Sequence, residues 1–308
     1  MNRAPLGTPV PWRGNELSAN GNWQQELTTA DVGEIDAALV AAQSVCVSEL
    51  SSQTFPLPRL AGLLRKVAME LADGRGVAKL SGLPVERYSD AQLRTLYLGL
   101  GSHLGAPIDQ NGARGLLRDI RDRSAAGGRR VDSAGGLNWH NDRTDIVGLL
   151  CVCAAAAGGV SRLCSMTAIH NAMLERCPEL LDVLFEDFNR FTPGDEVGGT
   201  QGCHALPVLR MDGKRLSTHF SRTYIEQATK LPGAAPLSPQ QNAALDMVVS
   251  LADEFAFEMT LEAGDIQFLN NHAILHSRSA FTDEPDRGAQ RRLLRIWLST
   301  STRGSWRA

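Results

Sequence analysis

Apolar positions in the first third of the chain follow the spacing of α-helices. Leucine and valine side chains recur at intervals of three and four residues over 60–71, and Gly74 follows as a helix terminator. A second series of leucines spans 93–104 and comes after Ser89, whose hydroxyl suits a helix N-cap. The pattern predicts two helices before residue 105, with a short strand at 76–80 between them.

The remaining apolar segments indicate strands and two further helices. Residues 145–153 form a nearly continuous apolar run, which is typical of a strand buried on both faces. One helix is predicted to begin near Thr167 and to break at Pro178, and the capping sequence Ser-Pro-Gln-Gln at 238–241 predicts the start of another. Residues 255–298 then show strand-like segments of alternating and continuous apolar positions, separated by turns. Helices and strands do not alternate regularly, and no G-x-G-x-x-G follows a strand, so a doubly wound dinucleotide fold is disfavoured.

Two segments lack such periodicity. Residues 1–30 are rich in proline, glycine and asparagine, and we expect them to be irregular chain on the surface. Residues 106–138 include the glycine- and charge-rich sequence RDRSAAGGRR at 121–130. A loop of this kind is either mobile surface chain or a lid over a binding site. We expect 106–138 to form part of a lid.

Composition limits the classes of function. The 308 residues are 43% hydrophobic and 21% charged with a formal net charge of −3, a balance typical of a globular protein with a large core. The charge does not favour nucleic acid or anionic lipid, the longest apolar run is too short to cross a bilayer, and the first residues lack the apolar block of a secretory signal. We expect a single domain over 1–308 and a cytoplasmic protein without nucleic-acid or membrane partners. The six cysteines show no C-x-x-C pair and are expected to be reduced core thiols.

Candidate chemistry begins at His140 and Asp142, in the sequence LNWHNDRTD just before the buried apolar run. In an extended chain, residues two apart lie on the same side, with Cα atoms about 6.6 Å apart. An imidazole nitrogen and a carboxylate oxygen can then bind one metal, each at about 2.0 to 2.2 Å. H-x-D is common by chance, so the pair alone also fits a histidine hydrogen-bonded near a turn.

A third ligand is offered by His276, which follows a Gly-Asp turn and is predicted to lie on a late strand. Two histidines and one carboxylate on one face of an octahedral iron leave three adjacent positions for a co-substrate and O2. His272 is the alternative, since H-x-x-x-H on a helix can hold zinc. The adjacent Glu of the zinc proteases is missing, however, and on a strand the two histidines would stand about 13 Å apart, too far to share a metal.

These motifs resemble a known family. HND at 140–142, LHSR at 275–278 and RRLLRIWL at 291–298 are similar, in order and approximate separation, to the taurine dioxygenase-like (TauD/TfdA) group of Fe(II)- and 2-oxoglutarate-dependent oxygenases. The resemblance extends over residues 76–299. It implies a mainly β protein with flanking helices, built on a double-stranded β-helix (jelly roll) whose facing sheets form a rigid mouth for a metal site. The implied iron ligands are His140, Asp142 and His276.

The same resemblance implies residues that bind 2-oxoglutarate. Thr167, in GGVSRLCSMTA, would contact the co-substrate through its hydroxyl. Arg295 would pair with the distal carboxylate of 2-oxoglutarate, and Arg291 would lie near its other end. A guanidinium fork holds a carboxylate through two hydrogen bonds, which a lysine does less well. Arg278 and Arg292 are close competitors for these roles.

The implied activity is oxidation of a small molecule. O2 is activated at Fe(II), 2-oxoglutarate is converted to succinate and CO2, and an unactivated C–H bond is hydroxylated, with the cofactor carrying the difficult step. Asp142 disfavours halogenation, since related halogenases have a small residue in place of this carboxylate. Desaturation, cyclisation and demethylation stay open as outcomes. The substrate is expected to be an amino acid, an amine, a sulfonate or a natural-product intermediate, and a homo-oligomer is among the expectations.

Two other classes of function fit parts of the sequence. A small-molecule binding protein without turnover would keep the jelly roll but lose an iron ligand or the arginine pair, and neither is missing. A zinc hydrolase would use His140 and Asp142 with either His272 or His276. Weaker candidates for the pocket are Asn111, Asn138, Asn271 and Arg222.

Overall fold

The computed structural model describes residues 4–110, 115–123, 132–192, 202–284 and 290–300. The helices within these ranges are α1 (Gly14–Ala19), α2 (Thr29–Ala41), α3 (Ala61–Ala72), α4 (Asp90–Ser102), α5 (Met166–Arg176), α6 (Pro178–Val183), α7 (Arg222–Ala228) and α8 (Pro239–Glu254). The strands are β1 (Gln24–Glu26), β2 (Val77–Ser81), β3 (Ala106–Pro107), β4 (Leu117–Ile120), β5 (Leu137–His140), β6 (Ile146–Cys153), β7 (Ala157–Gly158), β8 (Ser161–Ser165), β9 (Asp187–Thr192), β10 (Gly202–Pro207), β11 (Leu209–Asp212), β12 (Arg215–Thr218), β13 (Phe257–Met259), β14 (Ile266–Asn270), β15 (Ile274–Arg278), β16 (Phe281–Thr282) and β17 (Arg292–Ser299).

Two sheets form the centre of the molecule. The larger sheet has the order β1-β2-β14-β6-β17-β3, and β4 pairs with β17 as well. Its strand pairs are antiparallel except for β1 with β2. The smaller sheet has four antiparallel strands in the order β13-β8-β15-β5. Neighbouring strands come from distant parts of the sequence, so most of the chain must fold before either sheet is complete.

The inner faces of the two sheets pack against each other. Val147, Leu269 and Trp297 of the larger sheet share one apolar cluster with Leu163 and Ile274 of the smaller sheet. Side chains alternate along a strand, so the neighbours of these residues point outward. The molecule therefore has an inner layer, in which a site can be enclosed, and two outer faces that need cover.

Helices cover both outer faces. The outer face of the larger sheet packs on α2, α3 and α4 through Leu150, Phe268 and Ile296, among others. The outer face of the smaller sheet packs on α5, α6 and α8 through Cys164 and Leu275. Strands β6, β14 and β17 are consequently buried on both faces, which explains the continuous apolar run predicted as a buried strand.

Local capping signals set the helix boundaries. Ser89 before α4 and Ser238 before α8 each accept a hydrogen bond from the backbone N–H three residues on, where a glutamine side chain accepts from the N–H of the serine. The predicted helices in these regions are confirmed. α5 begins at Met166 and ends at Arg176, and Pro178 opens the short helix α6 instead of ending helical structure.

Two predictions of irregular chain are partly wrong. Residues 4–30 contain α1, β1 and the start of α2, where Thr28 and Asp31 form a capping box. These elements are too short for periodicity to reveal, and β1 forms only because it pairs with the distant strand β2. Within 106–138, strands β3 and β4 pair with β17 and β5 begins at Leu137. Residues 111–114 and 124–131 lie outside the described ranges, and the lid stays a prediction.

The structure bears on the expectations about membrane spans and cysteines. None of the described helices combines enough length with enough apolar character to span a membrane. All six cysteines are free thiols, as predicted, but the expectation of core positions is wrong for Cys46 and Cys203, which are exposed.

Candidate active site

The two predicted iron-binding histidines meet as a cross-strand pair. His140 is the last residue of β5 and His276 is the middle residue of β15, and the antiparallel register places them directly opposite each other. Their ring centroids are 4.3 Å apart. Directly paired residues on one face of a sheet have Cβ atoms about 5 Å apart, so strand pairing alone brings the imidazoles together.

Asp142 completes a cluster of three ligands. It follows β5 by two residues, and its carboxylate turns back toward the histidine pair. One ligand atom from each of His140, Asp142 and His276 lies within 4.8 Å of the others. Ligand atoms that are each about 2.2 Å from one metal lie at most about 4.4 Å apart, so small side-chain shifts would let the three bind a single ion. The structure therefore brings together the three residues that the sequence predicts as ligands.

Two asparagines hold the backbone of the Asp142 turn. Asn271, which is buried between β14 and β15, accepts a hydrogen bond from Asp142 N–H at 2.9 Å through Oδ1 and donates to the Asp142 carbonyl through Nδ2. Asn141 Nδ2 donates at 2.8 Å to the carbonyl of Asn271. These contacts fix Asp142 relative to β15. Asn271, a weak candidate in the sequence, thus positions a ligand through the backbone.

The carboxylate of Asp142 is balanced by the larger sheet. Arg295 Nη1 lies 3.1 and 3.2 Å from its two oxygens, and Trp297 Nε1 donates to it at 3.0 Å. Burial alone would raise the pKa of Asp142, but the charge of Arg295 and the hydrogen bond from Trp297 lower it to about 2. Burial, reinforced by the neighbouring His140, lowers the pKa of His276 to about 3. A carboxylate and a neutral imidazole are the protonation states that bind metal.

The ring nitrogens also fit a metal. His140 Nδ1 lies 2.8 Å from the carbonyl of Asn138, so it donates there and leaves the lone pair on Nε2. The buried Nδ1 of His276 has no hydrogen-bond partner among the described residues. Two imidazoles and one carboxylate, with a buried nitrogen that the protein does not satisfy, suit the predicted Fe(II).

His272 is not part of this cluster. It is buried in the turn between β14 and β15, where Nε2 lies 2.8 Å from Asp145 Oδ1 and Nδ1 lies 2.8 Å from Ser217 Oγ. Both ring nitrogens are therefore engaged within the protein. The alternative of a metal site built on His272 is wrong.

A cavity beside the ligands contains a buried arginine. Arg291 and Ser161 lie in its wall, and among the described residues none hydrogen-bonds to Arg291 Nη1. The guanidinium of Arg291 stacks 4.8 Å from the ring centroid of Phe281, and burial lowers its pKa. Gly159 has a φ of +68°, and a Cβ there would lie 3.0 Å from Arg291 Nε, so the close turn favours glycine. A buried guanidinium in a cavity wall is suited to pair with a carboxylate of a bound ligand.

Two other arginines of this segment already have carboxylate partners. Arg295 lines the cavity but pairs with Asp142, and its Nε donates at 2.8 Å to Gln110. Arg295 therefore already has a carboxylate partner within the protein, and its contact with the distal carboxylate of 2-oxoglutarate stays a prediction. Arg292 faces the outside of the sheet, where it pairs with Asp90 and, at 2.8 Å, with Asp119. The competitor Arg292 does not reach the cavity.

Arg278, the remaining competitor, also lines the cavity. Its Nη2 donates at 2.6 Å to the carbonyl of Ser133 and also to the carbonyl of Gly135. Burial, with the charge of Arg291 nearby, lowers the pKa of Arg278 to about 10. Arg278 thus fastens residues 133–135, part of the predicted lid, to β15.

The structure does not bring Thr167 to the cavity. Thr167 is fully buried as the second residue of α5, beyond the end of β8, and it is not among the described residues of the cavity wall. Ser161 and Leu163 alternate along β8 toward the cavity, so Ser161 contributes a hydroxyl to its wall, as does Ser277 in β15. The sequence reasoning missed Ser161, and the Gly-Gly turn at 158–159 just before it was the available signal.

The weaker candidates lie elsewhere. Arg222 pairs at 2.7 Å with Glu226 and also with Asp246. Asn138 contributes its carbonyl to His140. Asn111 lies outside the described residues.

Solved structures share this fold. Asparagine oxygenase, in complex with Fe(II), 2S,3S-3-hydroxyasparagine and succinate, aligns over 90% of this chain and 94% of its own, with 19% identity and a TM-score of 0.71. The non-heme iron oxygenase OrfP, in complex with Fe, succinate and (3S)-hydroxy-L-Arg, aligns over 90% of this chain and 94% of its own, with 15% identity and a TM-score of 0.68. The predicted jelly roll with flanking helices is confirmed.

Sequence relatives cover nearly the whole chain. The taurine hydroxylase-like protein SAT17 of Stachybotrys chartarum is 29% identical over 94% of this chain and 79% of its own length. FR-33289 synthase of Streptomyces rubellomurinus is 28% identical over 96% of this chain and 91% of its own length. Residues 41–297 match the family described as taurine catabolism dioxygenase TauD, TfdA family, which confirms the predicted class of Fe(II)- and 2-oxoglutarate-dependent oxygenase. The chain belongs to the taurine catabolism dioxygenase TauD, TfdA family.

Proposed function

We propose that this protein hydroxylates an unactivated C–H bond of a small molecule, with Fe(II), 2-oxoglutarate and O2, and releases succinate and CO2. The observation that carries the proposal is the meeting of His140, Asp142 and His276 beside a cavity with a buried arginine. Iron held by these three residues would supply the activation of O2.

The residues around the ligands bind and orient the reactants. We assign the distal carboxylate of 2-oxoglutarate to Arg291, whose Nη1 is buried without a partner among the described residues. Ser161 would donate its hydroxyl to the same carboxylate, since it lies in the same wall. Arg295 and Trp297 instead keep Asp142 ionised and oriented, so the roles proposed for Arg291 and Arg295 differ from those that the sequence suggested.

The rest of the cavity wall is largely apolar. Its aliphatic members are Ile120, Leu137, Val147, Leu149, Leu163, Leu269 and Leu293. Such a wall excludes water from the reacting groups and strengthens the interaction between the arginine and an acid. The wall therefore favours a small co-substrate held at one charged end.

The relatives support a small-molecule substrate. Solved structures of the relatives hold hydroxyasparagine and hydroxyarginine, and we extend this to an amino acid or a related metabolite as substrate and to hydroxylation as the outcome. We also propose that residues 1–308 act as one domain, because both sheets contribute to the site. The six free thiols favour the cytoplasm as its location.

Anaerobic titration with Fe(II) and 2-oxoglutarate tests the proposal. We expect the weak visible charge-transfer band of a ferrous 2-oxoglutarate complex in the wild type and none in His140→Ala. With O2 admitted, the rate of succinate release should fall at least about 1000-fold in that variant, because a ligand is lost.

The matched control is His103→Ala. His103 bonds to the carbonyl of Phe55, away from the cavity, and its loss should leave the band and the rate intact. Succinate release by His140→Ala at the wild-type rate would contradict the proposal, as would the absence of the band from the wild type.

A further inference from the structure

A second group of basic residues begins directly after the iron ligand Asp142 in the chain. Arg143 follows Asp142 directly in the chain, so their Cα atoms are about 3.8 Å apart. Arg190 in β9 and His204 in β10 are direct partners in the antiparallel register of those strands. The side chain of Arg143 reaches this strand pair at Thr192. We call Arg143, Arg190 and His204 the cationic cluster.

Arg190 is buried with most of its donors unused. It is 1% exposed, and its Nη2 makes one long hydrogen bond of 3.3 Å to the carbonyl of Pro207. No described residue accepts from Nε or Nη1. Burial, with the charge of Arg143 nearby, lowers the pKa of Arg190 to about 9. A buried guanidinium without partners is costly, and proteins that keep one commonly supply the partner from a ligand.

Hydrogen bonding within the cluster leaves donors available. Arg143 Nη2 donates to Thr192 Oγ1 at 3.1 Å, because a guanidinium cannot accept. The hydroxyl of Thr192 lies 2.7 Å from His204 Nδ1 and can give its single proton to that nitrogen. In this arrangement we assign the proton of His204 to Nε2. Burial and the two arginines lower the pKa of His204, so the ring is neutral near pH 7 and acts as a donor through this nitrogen.

The cluster lacks a counter-charge in the part of the chain that the structure describes. Within those ranges, neither Arg143 nor Arg190 makes a hydrogen bond to a carboxylate. His219, buried nearby, is also neutral, since burial and the charges of Arg190 and Arg143 lower its pKa. Arg190 and Thr192 are buried, whereas Arg143 and His204 are half-buried, so the cluster has one open side.

We propose that Arg190, Arg143 and His204 bind an oxyanion group of the substrate, a phosphonate, a sulfonate or a carboxylate, and so orient the substrate toward the iron. This rests on the proposed function and narrows its substrate to a small molecule with an anionic group away from the oxidised carbon. The parallel N–H groups of Arg190 suit two oxygens of one anion, and His204 Nε2 supplies a further donor.

Binding of small oxyanions to the metal-free protein tests the site. The probes are methylphosphonate, methanesulfonate, acetate and inorganic phosphate, titrated in a buffer without oxyanions, with Tm and calorimetric Kd as readouts. We expect a saturable rise in Tm with at least one organic probe, and a Kd weakened at least about tenfold in Arg190→Met. Without probe, the Tm of Arg190→Met should not fall, because the substitution removes an uncompensated buried charge.

Two further variants keep the test sharp. Arg143→Gln changes a half-buried side chain and should also weaken the Kd, even where Arg190→Met folds poorly. Arg59→Met removes a surface guanidinium paired with Asp31 and should bind the probes like the wild type. Absence of saturable binding to the wild type, or an unchanged Kd in both Arg143→Gln and Arg190→Met, would overturn the proposal.

The charge-transfer band of the Fe(II) complex shows whether the cluster binds substrate or 2-oxoglutarate. It also separates failure of this proposal from failure of the proposed function. In Arg190→Met, the band should reach half of its full intensity at the same 2-oxoglutarate concentration as in the wild type. A tenfold shift of that concentration would assign the cluster to 2-oxoglutarate and overturn the substrate site. If the wild type binds a probe through Arg190 but gives no band, the proposed function fails and the anion site stands.

Discussion

Arg291 and Arg292 are neighbours in the chain but face opposite sides of the larger sheet. On the outside, Arg292 pairs with Asp90 and Asp119. On the inside, Arg291 lies in the cavity wall over the ring of Phe281, and its Nη1 lacks a hydrogen-bond partner among the described residues. The fold supplies carboxylate partners for the outer arginine, whereas Nη1 of the inner arginine has none among the described residues. In the function that we propose, the anion that pairs with Arg291 is the co-substrate.

The largest expected effect comes from removing the inner arginine, which should weaken the binding of 2-oxoglutarate. Arg291→Met removes the fork from the cavity wall, and the distal carboxylate of 2-oxoglutarate loses its charge partner. The KM for 2-oxoglutarate, measured by succinate release, should rise about 100-fold.

Arg292→Met is the control at the adjacent residue. Its side chain faces away from the cavity, so the KM should stay at the wild-type value. Equal changes in both variants would remove the contrast. A larger rise in Arg295→Met than in Arg291→Met would restore the role that the sequence suggested for Arg295.

On the outer face, the ion pairs of Asp119 should make the free energy of unfolding depend on pH. Burial alone would raise the pKa of Asp119, but hydrogen bonds from Arg121 and Arg292 lower it to about 2. The folded-state pKa lies below the unfolded value of about 3.9, so the stabilisation is present above pH 4 and is lost as the pH falls toward 2. The total is about 2 kcal/mol, of which about 1 kcal/mol should be lost by pH 3.

Urea unfolding at pH 6, 4 and 3 measures this loss. The difference in unfolding free energy between the wild type and Asp119→Asn should shrink as the pH falls. The same substitution at Asp212, an exposed residue at the end of β11, should follow the wild-type curve. A difference that grows on acidification would show that the outer arginines do not hold the Asp119 carboxylate ionised.

The smallest expected effect tests whether the hydroxyl of Ser161 or that of Thr167 contacts 2-oxoglutarate. Ser161→Ala removes one hydrogen bond to a carboxylate of the co-substrate, worth about 1.5 kcal/mol, so the KM for 2-oxoglutarate should rise about tenfold. Thr167→Val replaces a hydroxyl that has no partner among the described residues and should leave the KM unchanged. A rise confined to Thr167→Val would return the co-substrate contact to the residue first predicted.

Features determined by nearby residues could be predicted from the sequence. The helix starts after Ser89 and Ser238 depend on contacts within four residues, and these signals are local. The spacing of His140 and Asp142 likewise places two ligands together without knowledge of the sheets. The late His276 required a family resemblance, since spacing alone left His272 as an alternative.

Features determined by strand register could not be predicted. Ser161 reaches the cavity because β8 aligns it with Arg278 in β15. Arg295 meets Asp142 across 153 positions in the sequence, a contact that no local pattern encodes. The short strand β1 exists only through its pairing with β2. In each case the missing information is which distant strand lies alongside.

Strand β5 lies at the edge of the smaller sheet, where it pairs with β15 and where His140 also forms an isolated antiparallel bridge to Ser221. It ends in His140, directly opposite His276. A metal bound to both imidazoles would cross-link this edge strand to its neighbour, much as a disulfide joins two strands. Such a cross-link would oppose local opening of the sheet edge, so the end of β5 should open more readily in the metal-free protein than in the loaded one.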